Sequence, residues 1–80
     1  MELQKALRLR IQQLCDVNEL SLRGLCIRCG ITYSTLQNVM GGRNRSITVE
    51  TIHKICIGLD MELMAFFDSE LFRNLLTQKV

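Results

Sequence analysis

Apolar side chains recur every three or four residues along nearly the whole chain. That is the spacing of one helix face, not the alternation of a strand. Leu3, Leu7, Ile11 and Leu14 form one stripe and predict a first helix from about Glu2 to Val17. Leu22, Leu25, Cys26 and Cys29 form a second stripe behind Ser21, whose hydroxyl can accept the free amides of a helix start. Leu36, Val39 and Met40 mark a third with Thr32 as its cap, and Ile52, Ile55, Cys56 and Leu59 a fourth behind Thr48. Leu63, Phe66 and Phe67 predict a short fifth helix, and Leu71, Leu75 and Leu76 a sixth behind Ser69.

The breaks are equally legible. Gly30 stands between the second and third stripes, where a residue free to take positive φ lets the chain turn within a few residues. Gly41-Gly42 closes the third helix, and Gly42-Arg43-Asn44-Arg45-Ser46 reads as an exposed basic loop. Ser46-Ile47-Thr48-Val49 alternates but is too short to carry a sheet. The expected fold is all-α: a compact bundle of five to six short helices in a single domain over residues 1–80. Its core is expected at about 7–67 and its C-terminal helix at about 69–77.

Composition narrows the function classes. Eighty residues with 48% hydrophobic and 22% charged side chains are globular, not disordered. A chain of this size buries only about 60–65% of its unfolded surface, too little to enclose a large catalytic cavity. No apolar run approaches the ~18–20 residues of a membrane span, and Met1-Glu2-Leu3-Gln4-Lys5 lacks the apolar core of a signal peptide. A cytoplasmic location is expected. The net charge is only +2, but it is unevenly spread. Residues 1–45 carry seven cations against three carboxylates (+4), and residues 46–80 carry three against five (−2). A basic end suits a polyanion.

The order of the elements carries the rest. A short helix, a three-residue turn with glycine and a second short helix form a helix-turn-helix, whose second helix enters the DNA major groove. Here that unit runs from Ser21 to Met40. Leu25 followed by the small Cys26, the Cys29-Gly30-Ile31-Thr32 turn and Ser34-Thr35-Leu36 resemble the Cro/C1-type (phage-repressor-like, XRE family) DNA-binding domain. So do Gly42-Arg43, Thr48-Val49-Glu50-Thr51-Ile52 and Leu59-Asp60-Met61-Glu62-Leu63 ending in Phe66. The resemblance extends from about Leu7 to Phe67 and implies a lambda-repressor-like fold. Two departures stand out. Leu22 occupies a position where the family often carries a phosphate-holding glutamine. Cys15 and Met40 replace an arginine and a glutamate that often form a partly buried ion pair. Losing one partner would strand a buried charge, whereas replacing both can be neutral or stabilising.

The resemblance implies that the third helix, at about 33–41, points Tyr33, Ser34, Gln37 and Asn38 toward base edges. The residue types suit that task. Gln and Asn can pair bidentately with adenine, Ser can donate or accept, and a Tyr ring can pack on a thymine methyl. Arg43, Asn44 and Arg45 follow as phosphate anchors, with Ser21 and Thr32 at helix starts. Arg10, Arg23 and Arg28 could extend the basic face.

Four cysteines invite a zinc reading, because Cys26-Ile27-Arg28-Cys29 and His53-Lys54-Ile55-Cys56 supply two two-spaced pairs. Against it, Cys26, Cys29 and Cys56 lie on apolar helical stripes, where cysteine behaves as a small hydrophobe. No metal, cofactor or enzymatic activity is expected. His53 is expected in solvent, and no paired carboxylates or nucleophile–base arrangement appears. Phe66, Phe67, Leu71, Phe72, Leu75 and Leu76 crowd the tail, either closing the core or forming a self-association surface. The expected partners are double-stranded DNA and a second copy, with a protein partner also conceivable through the C-terminal apolar helix. With no effector domain after residue 80, the expected function is a small dimeric repressor that occupies a promoter. The alternatives are the antitoxin of a toxin–antitoxin pair, or an interaction module that keeps the fold without reading DNA.

Overall fold

A computed structural model describes residues 2–41, 46–73 and 75. The described residues form six helices in order: α1 (Leu3–Val17), α2 (Leu22–Cys29), α3 (Tyr33–Met40), α4 (Val49–Gly58), α5 (Leu63–Phe67) and α6 (Glu70–Arg73). No strand occurs among the described residues. The all-α expectation is met, and the part of the predicted C-terminal helix beyond Arg73, except Leu75, lies outside the described residues.

The predicted stripes become the core. Leu7, Ile11, Leu14 and Cys15 of α1 meet Leu25 and Cys26 of α2, Leu36 and Val39 of α3, and Ile52, Ile55 and Cys56 of α4, with Leu59 and Phe66 closing the cluster. Ile47, in the segment that alternates in sequence, is also buried. Met40 packs against this core from its edge, and Cys15 is buried within it. No buried side-chain nitrogen or oxygen among the described residues lacks a hydrogen-bond partner.

Three helices end the same way. The amide of Leu20 donates to the Cys15 carbonyl, that of Ile31 to Cys26, and that of Met61 to Cys56, at 2.8, 3.1 and 2.9 Å. Each closure requires a left-handed residue just before the donor, supplied by Glu19 (φ 55°), Gly30 (φ 69°) and Asp60 (φ 56°). Each also sets an apolar side chain (Leu20, Ile31, Met61) against the core, as commonly accompanies this motif. Only the middle closure uses glycine.

Two arginines in the basic half have a structural role. Arg10 Nε donates to the Phe66 carbonyl at 2.7 Å and its Nη2 to the Ala65 carbonyl at 3.0 Å, which caps the end of α5. Arg28 Nε donates to the Gly58 carbonyl at 2.9 Å, capping α4. A cation near a helix C-terminus meets both unpaired carbonyls and the negative end of the helix dipole. Arg10 and Arg28, which could extend the basic face, are thus tied to backbone carbonyls at the ends of α5 and α4.

Candidate nucleic-acid interface

The helix-turn-helix begins with a cap. Ser21 Oγ accepts the Gly24 amide at 3.0 Å and starts α2. Gly24 itself sits close under the preceding turn, since a Cβ there would lie 3.3 Å from Ser21 Oγ. Gly30 then turns the chain with left-handed geometry, and Ile31 tucks toward the core. Thr32 Oγ1 accepts the Thr35 amide at 3.4 Å, and its hydroxyl donates to Thr35 Oγ1 at 2.6 Å. The two hydroxyls lie together at the exposed start of α3. Cys26 ties the two helices together through a thiol contact to the Thr32 carbonyl at 3.9 Å.

Helix α3 is two-sided. Leu36 is fully buried and Val39 is 6% exposed, so they fix the rotation of the helix on the core. Ser34 and Gln37 are exposed, and Tyr33 and Asn38 are half-buried. Of these four expected readers, Ser34 and Gln37 lie on the exposed face and Tyr33 and Asn38 at its borders with the core. They are not equivalent. The Tyr33 ring packs partly against the core and lies under Arg23, whose Cζ is 4.1 Å from the ring centroid. Asn38 lines a polar cleft of about 290 Å³ with Thr35, Val39, Ser46, Thr48 and Thr51. Thr35 was not among the expected site residues, and the signal for it was the Thr32-to-Thr35 spacing of a hydroxyl pair.

The segment that leads into α4, beside that cleft, is tied to α1. Gln4 Oε1 accepts the Ile47 amide at 2.7 Å, a bond spanning 43 positions of sequence. It holds the segment entering α4, where Thr48 Oγ1 accepts the Thr51 amide at 3.1 Å. The expected phosphate anchors Ser21 and Thr32 thus lie at the starts of α2 and α3. Arg43, Asn44 and Arg45 lie outside the described residues.

The thiols are integrated into the fold. Cys15, Cys26 and Cys56 are buried, and Cys29 is half-buried with its thiol 3.7 Å from the Ile55 carbonyl. Burial pushes all four thiols above their ordinary value, with Arg23 opposing the shift at Cys26, Arg28 at Cys29 and Arg10 at Cys56. A neutral, buried thiol is a poor metal ligand and nucleophile. His53 is exposed on α4. No described helix is long and apolar enough to cross a membrane.

A short capped helix, a glycine turn and a second capped helix with one locked and one polar face define a DNA-binding helix-turn-helix. A family model of the Cro/C1-type HTH DNA-binding domain matches residues 5–65, and the chain belongs to that family. No curated protein and no solved structure matches the chain.

Proposed function

We propose that this chain is a sequence-specific transcriptional regulator that reads the major groove with α3 and represses by occupying its site. The observation that carries the reading is the division of α3. Leu36 and Val39 anchor it while Ser34, Gln37 and Asn38 remain accessible beside the Thr35 hydroxyl. Ser34, Gln37, Asn38 and Tyr33 read bases, and Ser21 and Thr32 address phosphates at the starts of α2 and α3. Arg43, Asn44 and Arg45, which follow α3 in sequence, add the sequence-independent grip. Each good base contact supplies about 1–3 kcal/mol of discrimination.

The chain acts as a homodimer in this reading. Leu63, Met64 and Phe67 are 38%, 82% and 37% exposed and give α5 an apolar outer face. Pairing of two such faces would set two reading helices about 34 Å apart, one turn of DNA. The same face favours a second reading, a module that docks a protein partner and has given up DNA.

A variant series separates the two. Gln37→Ala and Asn38→Ala should change which base pairs are preferred, each at a cost of about 1–3 kcal/mol on the best site. Arg43→Ala should weaken all duplexes and lower the salt slope by about one. If all three bind every duplex as the parent does, the DNA reading is lost and the docking module stands.

A further inference from the structure

The arginine–tyrosine pair that bridges the two helices of the motif has a consequence beyond shape. Arg10 and Arg28 donate to carbonyls at the ends of α5 and α4, but Arg23 is exposed, and its guanidinium lies over the Tyr33 ring. Among the described residues the salt bridges belong to Arg73, with Asp68 and Glu70, so the charge of Arg23 is not neutralised by a carboxylate there. Stacking fixes the plane of a guanidinium while leaving its N–H edge open, and that edge matches a phosphate with two parallel hydrogen bonds. The platform is itself fixed, because Tyr33 starts α3 and packs against the core.

We propose that Arg23 is a DNA phosphate contact held in position by Tyr33, so that the first residue of the reading helix controls the grip of α2 on the backbone. The proposal rests on the DNA-binding reading above. A phosphate is favoured over a base because Arg23 is on the first helix of the motif, the one that crosses the backbone in this arrangement. Tyr33 then has two tasks: it faces the groove and it braces a cation. A pre-positioned guanidinium loses less rotamer freedom on binding than a free one.

The test is a double-mutant cycle on the full chain, with Arg23→Ala, Tyr33→Leu and both together. Affinity is measured on a selected site and on a scrambled duplex over a range of salt. Arg23→Ala should weaken both duplexes about tenfold and lower the salt slope by about one. Tyr33→Leu removes no charge, yet it should weaken the scrambled duplex about two- to fivefold. That loss should vanish in the Arg23→Ala background, a coupling of the same size. Arg23→Gln keeps bulk and polarity and should behave as Arg23→Ala, and thermal melts confirm that each variant is folded. An additive cycle overturns the bracing by Tyr33. A change of base preference at one position, with scrambled binding intact, overturns the phosphate assignment. If the parent binds but Arg23→Ala equals it, only this proposal fails; if the parent binds no duplex in a salt-sensitive way, the DNA reading fails with it.

Discussion

Gly58 of α4 lies directly against Cys29 of α2. A Cβ at position 58 would stand 2.8 Å from the Cys29 Cα and 3.0 Å from the Arg28 carbonyl oxygen, and closer still to the Cys29 thiol. Two of these neighbours are backbone atoms, which cannot swing away. The contact lets α2 approach α4 closely enough for Arg28 to cap it. Helix propensity alone favours alanine over glycine by about 1 kcal/mol, whereas overpacking costs about 1–3 kcal/mol. Gly58→Ala is therefore expected to lower stability by about 1–2 kcal/mol in urea unfolding. A stabilised variant would show that the two helices are not in close contact.

Arg10 holds the short α5 to α1 through two carbonyls and lies 6.0 Å from the Phe66 ring centroid. A five-residue helix has little stability of its own. Arg10→Ala should cost about 1.5–3 kcal/mol, the range for hydrogen bonds to charged groups. DNA affinity, measured well below the melting temperature, should change little. A large affinity loss with unchanged stability would instead place Arg10 on the DNA.

Glu19 and Asp60 hold the left-handed conformation that Gly30 holds between them in sequence. A non-glycine residue there costs roughly 1–2 kcal/mol, of which a glycine recovers part while adding freedom to the unfolded chain. Glu19→Gly and Asp60→Gly should each stabilise the fold by about 0.5–1 kcal/mol, and Gly30→Ala should destabilise it by about 1 kcal/mol. Thermal denaturation checks all three, and equal shifts of one sign would contradict the shared geometry.

Burial raises the four thiols above their ordinary value of 9.0. Below that value both folded and unfolded chains keep their thiol protons, so stability from this source is constant. As pH rises further the unfolded thiols ionise first, and the stability is lost progressively until the folded thiols titrate too. The urea midpoint should fall from about pH 9 upward. A Cys15→Ala, Cys56→Ala double variant should fall less steeply. Parallel profiles for parent and variant would remove the thiols from the explanation.

Much of this architecture is written locally. Ser21, Thr32 and Thr48 each cap the helix that their position in sequence suggests, through an amide three residues on. Gly30 turns where the motif needs it, and Leu36 and Val39 anchor α3 as their spacing implies. What could not be read are bonds that join distant positions. Gln4 to Ile47 spans 43 residues, Arg10 to Phe66 spans 56 and Arg28 to Gly58 spans 30. Each pairs a common polar side chain with a backbone group, and a backbone partner leaves no mark in residue type. The left-handed turns at Glu19 and Asp60 were hidden for a related reason, since a residue other than glycine occupies them. In the interface, side-chain types pointed to Tyr33, Ser34, Gln37 and Asn38, but only the packing distinguishes a braced Tyr33 from an open Gln37.

Selection of the chain against a random duplex pool at near-physiological salt shows whether α3 selects a DNA sequence. An inverted repeat with half-sites about 34 Å apart should be enriched. Asn38→Ala should shift the preference at one position of each half-site. A folded protein that enriches nothing, or whose enriched sequence is indifferent to Gln37 and Asn38, would contradict selection by α3.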